Sequence, residues 1–348
     1  MMTLRQWSAD DARVPIATTW TVDELGRALG LEALYTRQSP QKLKVLREHA
    51  LIESARSSNR IEGVEVEPAR MATLVFGTPI YRDRNEEEVA GYQKALSLIH
   101  ESWTELQVTE ETICRLHQLA RGEVWDAGKY KERAEPIIER RPGQQDRVRF
   151  MPVAAGAPTQ AAMGELVSAY QAIHRDRRIS PLVIMAGVVL DFLCIHPFRD
   201  GNGRASRLLT VLLCYHAGAH VGRYISIERI IEQNKDRYYE SLEQSSSGWH
   251  DGRHNPWPFV NYMLWILKQA YRELEQRVGQ TKGPAGEKTA MITDAIMQQT
   301  GPFSVSDLQR ACPGVSMDMI RTVLKRLKGD KVECLGRGQS AKWQRKAK

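Results

Sequence analysis

The chain carries, at residues 196–207, the sequence His196-Pro197-Phe198-Arg199-Asp200-Gly201-Asn202-Gly203-Arg204-Ala205-Ser206-Arg207 between two apolar runs. The run before it, Leu182 to Ile195, is almost wholly apolar and long enough for a buried helix, which Pro197 brings to an end. The run after it, Ala205 to Ala219, has the spacing of a second packed helix. The Gly201-Asn202-Gly203 turn therefore feeds the N-terminus of that second helix, where free backbone N–H groups can bind an anion.

The charged residues of this stretch suit phosphate chemistry. Arg204 and Arg207 fall in the first turn of the second helix, where the helix dipole disfavours a cation by roughly 0.3–1 kcal/mol unless a polyanion binds. Asp200 offers the hard oxygen ligands that Mg²⁺ shares with phosphates, and His196, with an ordinary pKa of about 6.5, suits proton abstraction from a hydroxyl. Taken singly, each residue also fits a plain turn, a helix cap or a solvated charge. Together they indicate nucleotide-dependent group transfer.

The stretch resembles the signature of the Fic family, H-x-F-x-(D/E)-G-N-G-(R/K)-x-x-R, and agrees with it at every defined position. The resemblance extends from about residue 35 to residue 275 through four further segments: Ser58-Asn59-Arg60-Ile61-Glu62-Gly63, Gly128-Lys129-Tyr130, Phe150-Met151-Pro152 and Asn234-Lys235-Asp236-Arg237-Tyr238-Tyr239. It implies an adenylyltransferase that moves AMP from ATP to a Ser, Thr or Tyr hydroxyl of a protein target, or of itself, and releases pyrophosphate.

The same resemblance implies a role for each residue of the signature. His196 would be the general base, Asp200 would hold Mg²⁺ on the phosphates of ATP, and Phe198 would anchor the loop in the core. The nucleotide phosphates would bind the glycine turn and both arginines, namely Gly201, Asn202, Gly203, Arg204 and Arg207. Tyr238 and Tyr239 sit at helical positions that point to different faces, so one ring would line the adenine pocket and the other the core. Packing of both rings in the core stays an alternative.

A second pair of residues lies upstream, in a predicted helix that Gly63 is placed to end. Ser58 and Glu62 are spaced i, i+4 on one face of that helix. A glutamate near the negative end of its own helix dipole gains from an arginine partner. In the Fic family the motif (S/T)-x-x-x-E-(G/N) supplies an inhibitory glutamate that pairs with the second signature arginine, here Arg207. The resemblance thus implies that Ser58 and Glu62 inhibit from an N-terminal helix; alone, the string also fits an exposed helix end.

A β-hairpin is predicted from Ala134 to Val153, because two apolar stretches there flank the polar segment Arg141–Asp146. In Fic proteins the matching flap pairs with the target peptide as an added strand, which would give Ile137, Ile138 and Glu139 a docking role. These residues depart from the usual strand sequence of the family. A plain surface hairpin stays the alternative.

The rest of the pattern up to residue 279 predicts a mainly α fold. Helical periodicity or strong helix formers cover roughly 22–34, 39–61, 68–75, 84–105, 109–121, 159–176, 181–196, 204–218, 227–245 and 256–279. We divide the chain into four parts: 1–105, a helical region with the inhibitory helix; 106–279, a Fic-type catalytic core; 280–286, a linker; and 287–348, a winged-helix-like domain.

The amino-acid composition indicates which broad class of protein this is. The chain has 348 residues, of which 42% are hydrophobic and 26% charged, as in ordinary globular proteins of two or three domains. The first 20 residues lack the pattern of a signal peptide, and the longest apolar run is too short for a bilayer and contains Asp191. We therefore expect a cytoplasmic protein with no membrane partner. The five cysteines are scattered, which argues against a disulfide framework or a zinc site.

The formal charge of +7 is concentrated at the C-terminal end. Residues 318–348 contain ten lysines and arginines and three acidic residues, so their net charge is +7 and the rest of the chain is near neutral. Three helix-like segments and a final hairpin after residue 287 resemble a winged helix-turn-helix domain, whose third helix would enter the DNA major groove. Such a domain can instead serve as a dimer or protein docking module, and homodimerisation stays open.

Three other functions remain as alternatives. Phosphoryl transfer occurs in Doc-like relatives with a bulkier residue in place of the second glycine, and Gly203 favours nucleotidyl transfer instead. Removal of AMP, with Glu62 orienting a water, is compatible with the sequence. An ATP-sensing DNA-binding regulator would need no base, so the retention of His196 argues against a pure sensor.

Overall fold

A computed structural model of the chain describes residues 2–8, 13–36, 40–133, 136–139, 147–279, 287–297, 299, 301–312, 315–336 and 341–346. The chain forms two compact units, Met1–Gln276 and Arg277–Lys348. The predicted linker at 280–286 and the predicted hairpin turn at 141–146 lie outside the described residues. A boundary at residue 105 within the first unit stays a prediction.

The chain up to residue 279 is mainly helical, as predicted. The helices are α1 (Thr3–Trp7), α2 (Ile16–Thr36), α3 (Pro40–Ile61), α4 (Met71–Phe76), α5 (Arg84–Ser102), α6 (Glu110–Arg121), α7 (Ala157–Asp176), α8 (Pro181–Ile195), α9 (Asn202–His216), α10 (Ile227–Gln233), α11 (Lys235–Ser246) and α12 (Trp257–Gly279). The predicted segment 227–245 is divided at Asn234 into α10 and α11. Within the part of the chain that the structure describes, no helix combines the length and apolar character needed to cross a membrane.

Helix α8 lies in the core of the first unit. Its residues from Leu182 to Ile195 are all buried, because α1, α7, α9 and α11 pack against it. This explains the uniformly apolar run, since a helix that is apolar on every face needs partners on every face. The proline at its start supplies a favourable first helical position. Residues 196–201, which connect α8 to α9, therefore begin at the end of a buried helix. They bring the first half of the signature to the edge of the core.

Helix α1 was not predicted, because its five residues are too few for a periodic pattern. The N–H groups of Thr3 and Leu4 donate to the carboxylate of Asp191, at 2.9 and 3.2 Å, and Trp249 Nε1 donates to it at 2.8 Å. Burial raises the pKa of Asp191 to about 6. The carboxylate thus caps the N-terminus of α1 from inside the core.

The predicted β-hairpin is present as β1 (Ile137–Glu139) and β2 (Arg147–Phe150), which pair antiparallel. Ile138 lies opposite Val148, and an irregularity in the register falls between Ile137 and Ile138. Arg147 and Arg149 both form ion pairs with Glu243 of α11. The hairpin is therefore held against the helix that carries Tyr238 and Tyr239.

The second unit contains α13 (Glu287–Met297), α14 (Val305–Ala311), α15 (Met317–Leu327), β3 (Val332–Cys334) and β4 (Trp343–Arg345). Strands β3 and β4 pair antiparallel, and Phe303 forms an antiparallel bridge with Trp343. Apolar residues of the three helices, such as Ile296 and Leu324, pack with Phe303 and Val332 in one core. Three helices followed by a hairpin is the predicted order of elements, and assignment to the winged-helix class stays a prediction.

Candidate functional site

His196 ends helix α8 in a left-handed conformation, with φ of 51°, and its N–H donates to the carbonyl of Phe192 at 2.9 Å. Burial, reinforced by the nearby ammonium of Lys131, lowers the pKa of the imidazole to about 4. The ring is therefore neutral near pH 7, which is the form that accepts a proton. This is the protonation state that a general base needs before reaction.

The loop between α8 and α9 is braced by side chains that point away from solvent. The Asn202 amide accepts from the N–H of Phe198 at 2.9 Å and donates to the carbonyl of the same residue at 2.7 Å. The ring of Phe198 stacks on His117 with centroids 3.7 Å apart. Asn202 was predicted among the phosphate ligands, but its side chain is committed to the loop, so only its backbone N–H is available to a ligand.

His117 of α6 was not identified from the sequence. Gly128 N–H donates to its Nδ1 at 2.9 Å, so the proton lies on Nε2, which donates to the carbonyl of Asp200 at 2.8 Å. Burial lowers the pKa of His117 to about 4, which keeps this neutral tautomer. Gly201 fits beside it with φ of 80°, where an added Cβ would lie 2.7 Å from Arg121 Cδ.

Helix α9 begins directly after the loop, and Ala205 N–H donates to Gly201 O at 2.9 Å. The N–H groups of residues 202–204 precede that bond, so they form the open N-terminus of the helix. The carboxylate of Glu62 lies against this turn, because a Cβ added to Gly203 would be only 2.1 Å from Glu62 Oε1. A glycine is therefore required here for the carboxylate to approach the backbone.

Arg207 is bound on three sides by the end of helix α3. Its Nε donates to Ser58 Oγ at 2.8 Å, and its Nη2 donates to the carbonyl of Ser58 at 2.9 Å and to Glu62 Oε1 at 2.7 Å. The guanidinium side chain is only 3% exposed, whereas that of Glu62 is 31% exposed. The pair is thus a charge-assisted contact in which the cation is deeply buried and the anion faces a cavity.

Arg204 points in a different direction from Arg207. It is 2% exposed, and its Nη1 donates to Glu88 Oε2 at 2.5 Å. Glu88 also pairs with Arg121 at 2.6 Å, and Arg121 pairs with Asp200 at 2.8 Å. In the structure the Arg204 guanidinium is held in this buried network, although its Nε has no hydrogen-bond partner in the described residues, and direct phosphate binding by Arg204 stays a prediction. Neither Glu88 nor Arg121 was identified from the sequence.

Asp200 is the exposed member of that network, with 63% of its side chain accessible. Its Oδ1 accepts from the N–H of Gly201. Burial of the carboxyl raises its pKa, but Arg121 and Arg204 outweigh this effect and hold the pKa below its ordinary value. Among the described residues no group of three or more His, Cys, Asp or Glu side chains could hold a metal ion. Asp200 is therefore a single fixed carboxylate that faces solvent.

One cavity of about 170 Å³ is lined by His196, by Gly203 and by the Arg207–Glu62 pair. The predicted site residues that line it are Glu62, Ile137, His196, Gly203, Arg207, Tyr238 and Tyr239. Tyr238 is buried against Phe259 and Tyr262, while Tyr239 lies below the guanidinium of Arg149 at 4.9 Å. Both rings thus reach the cavity, and Tyr238 also packs in the core. Arg149, which the sequence analysis did not identify, adds a second cation to the lining.

Three predicted residues lie on the hairpin. Ile137 lines the cavity, whereas Ile138 is 42% exposed. Glu139 pairs with Arg147 across the two strands. Of these three residues, one therefore lines the cavity, together with Arg149 and Phe150 of β2, and one is an apolar side chain exposed to solvent.

Part of the first unit is similar to a known protein family. The sequence model of the Fic/DOC family matches residues 107–214. A protein adenylyltransferase Fic from Drosophila persimilis is 26% identical over 223 residues, which cover 59% of this chain and 38% of that protein. The chain thus spans about two fifths of the length of that curated relative.

Solved structures share the fold. A Fic family protein from Desulfovibrio desulfuricans G20 has a TM-score of 0.59 and 21% identity, over 97% of this chain and 98% of that one. Fic-1 from C. elegans, residues 134–508, has a TM-score of 0.58 and 19% identity, over 77% of this chain and 74% of that one. At these identities the likeness establishes a Fic-type helical fold.

Proposed function

We propose that this chain, whose residues 107–214 form a Fic/DOC domain, is a protein adenylyltransferase that Glu62 holds inactive. One observation carries the proposal. A single cavity is lined by a neutral imidazole, an open helix N-terminus and an arginine, and the arginine is occupied by a carboxylate of the chain itself. The name of the Drosophila relative supports ATP as the AMP donor and a protein as the acceptor.

In the proposed reaction a Ser, Thr or Tyr hydroxyl of the target attacks the α-phosphorus of ATP. His196 takes the hydroxyl proton, the new P–O bond forms, and the bond from the α-phosphorus to the bridging oxygen breaks to release pyrophosphate. The N–H groups at the start of α9 and the guanidinium of Arg207 would stabilise the phosphate charge. Negative phosphates beside His196 would also raise its pKa from about 4 towards neutrality, where a base is most effective.

The contact between Arg207 and Glu62 explains inhibition by competition. A phosphate oxygen and Glu62 Oε1 need the same Nη2 donor, which already lies 2.7 Å from the carboxylate. The same carboxylate also places its negative charge against Gly203, where the terminal phosphates would lie in the productive pose. ATP can therefore bind productively only if Glu62 moves away.

The residues present fit a magnesium ion shared with the nucleotide. Asp200 would hold it, because Mg²⁺ commonly takes one or two carboxylates and completes its shell with phosphate oxygens and water. The carboxylate is solvent-exposed and held in place by Arg121, which Glu88 fixes in turn. When bound, the ion would neutralise charge on the phosphates of the nucleotide.

The hairpin is the proposed docking element for the target. Strands β1 and β2 form a two-stranded sheet in the described part of the chain, so an outer strand edge remains for a peptide to join. Ile138 offers an exposed apolar side chain on this hairpin, while Ile137 faces the cavity. An added strand would thus bring a target hydroxyl towards His196.

Intact-mass spectrometry tests the proposed reaction. The wild-type chain and the Glu62→Gly variant are incubated with ATP and Mg²⁺, alone and with candidate target proteins. An increment of one AMP moiety supports the proposal, and an increment of one phosphate assigns phosphoryl transfer instead. If neither protein modifies itself or a target, but Glu62-containing enzyme removes AMP from a modified protein, the function is de-AMPylation.

For the second unit we propose a winged helix-turn-helix fold that binds DNA. Helix α15 buries Ile320, Val323 and Leu324 on one face. Arg321 and Lys325 are exposed at i, i+4 spacing on the outer face, which forms a basic stripe, and Lys328 is exposed directly after the helix ends. A basic stripe on the third helix is the footprint expected of a groove-binding helix.

A further inference from the structure

Lys131 is a buried lysine next to the site that the proposed mechanism does not use. It follows Gly128-Lys129-Tyr130 in the chain and is 5% exposed. Burial lowers the pKa of its ammonium to about 8, so the charged form is retained near pH 7 at a cost. A charge kept in the core needs compensating partners.

The partners of Lys131 are three consecutive backbone carbonyls at the end of α8. Its Nζ donates to the carbonyls of Ile195 and His196, at 2.9 and 2.8 Å, and its backbone N–H donates to the carbonyl of Pro197 at 2.8 Å. The last carbonyls of a helix lack intrahelical partners and carry the negative end of its dipole. Lys131 therefore satisfies the helix end where the proposed base is located.

His196 needs such support more than most residues. It has a left-handed backbone with φ of 51°, which costs energy for a residue other than glycine. Its Nδ1 is buried without a hydrogen bond of standard geometry in the described residues, although the carbonyl of Leu193 lies close enough to raise its pKa. The position of the ring thus depends strongly on the position of its own backbone.

We infer that Lys131 is a positioning residue for the transfer reaction, because its ammonium fixes the backbone that aims the His196 imidazole into the cavity. The inference rests on the proposed function, in which His196 is the base. Lys131 acts through His196: the phosphate-binding groups of the site, Arg207 and the start of α9, make no described contact with it. Its removal should therefore change turnover and leave nucleotide binding almost unchanged.

The kinetic test uses the full chain in the Glu62→Gly background. Lys131→Met keeps the length of the side chain and removes the charge; we expect kcat to fall about 10- to 100-fold, as for a base displaced by about 1 Å. The KM for ATP should stay within about twofold, since ground-state binding is not touched. Lys131→Arg should restore part of kcat. Lys129→Met, which removes an exposed lysine two residues away, is the matched control.

A second readout needs no turnover. The imidazole resonances of His196 are titrated by NMR in the wild type, Lys131→Met and Lys129→Met. Lys131 lowers the pKa of His196, while Glu62 and Asp200 raise it, so loss of Lys131 should raise the measured pKa. Lys129→Met should leave the pKa of His196 unchanged.

If Lys131→Met does not fold, Lys131→Gln replaces it in both tests. Its amide can still donate to a carbonyl, so the expected effect is smaller.

The outcomes separate the inference from the proposed function. An unchanged His196 pKa and unchanged resonances in Lys131→Met overturn the positioning role, as does a KM for ATP that rises in proportion to the fall in kcat. If the Glu62→Gly parent transfers no AMP, the proposed function fails, and the NMR titration still decides whether Lys131 holds His196.

Discussion

At the scale of single residues, the Glu62 carboxylate packs against Gly203, which has no side chain to exclude it. The carboxylate occupies the volume that any larger side chain at position 203 would fill, and its distance from an added Cβ would be 2.1 Å. The same glycine would let phosphates approach the helix N-terminus. Gly203 thus serves both the inhibited form and the proposed nucleotide complex.

We predict that Glu62→Gly increases AMP transfer to the target or to the chain itself. The substitution frees Arg207 Nη2 from a charge-assisted contact worth roughly 1.5–3 kcal/mol, which permits about a ten- to hundredfold rise. The rate is measured at saturating ATP and Mg²⁺. An unchanged rate would return the segment Ser58–Gly63 to the alternative of an ordinary helix end.

Arg207→Ala is the control for this prediction. The guanidinium serves both the inhibitory carboxylate and the phosphates, so its removal should abolish activity even when Glu62 is also replaced by Gly. Retained activity in the double variant would show that the arginine is not needed for the nucleotide.

We predict that His196→Ala lowers kcat about 10²- to 10⁴-fold, the range expected for loss of a general base. ATP affinity, measured by calorimetry in the Glu62→Gly background, should change little, because the phosphates bind α9 and Arg207. If affinity falls as far as the rate, His196 binds the nucleotide and is not the base.

At the scale of elements, the end of helix α3 is tied to α10 and α11. Lys235 Nζ donates to the carbonyl of Ile61 at 2.8 Å, and Arg60 pairs with Glu232 at 3.3 Å. Both contacts are made by the two residues that directly precede Glu62. A cation at the C-terminal carbonyls of a helix is favoured by the helix dipole.

We predict that Lys235→Met raises basal transfer by about 2- to 10-fold, because one hydrogen bond of roughly 0.5–1.5 kcal/mol no longer holds the helix end in place. The increase should vanish in the Glu62→Gly background, because the inhibitory carboxylate is already absent there. Arg237→Gln, which removes a positive charge from the same helix away from α3, is the matched control. An equal rise in both backgrounds would assign Lys235 to the nucleotide site instead.

At the scale of the whole molecule, the first unit buries several neutral histidines. Burial lowers the pKa of His100 to about 3 and the pKa values of His117, His196 and His254 to about 4. Between an unfolded pKa of about 6.5 and these values, the unfolded chain binds more protons, so stability is present above pH 6.5 and is lost as pH falls. Asp191, with its pKa raised to about 6, acts in the opposite sense.

We therefore predict that the free energy of unfolding decreases from about pH 6.5 to about pH 4, with each histidine contributing at most about 1.4 kcal/mol per pH unit. Urea titrations across this range measure the slope. His117→Gln should reduce the slope of the free energy of unfolding against pH by the contribution of one histidine. A slope that is zero or of opposite sign would mean that the histidines are already protonated in the folded protein.

For the second unit we predict weak, salt-dependent binding of the full chain to duplex DNA. The logarithm of the binding constant should fall linearly with the logarithm of salt concentration. Replacing Arg321, Lys325 and Lys328 together by Gln should reduce that slope by about 2 to 3, since each phosphate contact contributes about 0.9. Absence of binding at low salt would favour a protein docking role for this unit.

The long helices could be predicted from the sequence because their signals are local. Periodic apolar residues and caps such as Asp83 and Thr109, whose side chains accept from the first turns of α5 and α6, lie within a few residues of the elements that they specify. The signature is local as well, so the base, the glycine turn and the arginines stand together in one short segment. Helix α1 was not predicted because its five residues are too few to show a periodic pattern.

The sequence by itself determined the helical class, the signature and the pairing candidate Glu62, whereas only the tertiary structure decided which charges meet. Glu62 reaches Arg207 across 145 residues of chain, and Arg204 turns away to Glu88 across 116 residues. Two arginines one helical turn apart look equivalent in sequence. Arg207 is held by the end of α3, whereas Arg204 pairs with Glu88 of α5 and makes only a longer contact, at 3.4 Å, with Asn59 of α3. The choice of neighbouring helices depends on burial over the whole core rather than on local pattern.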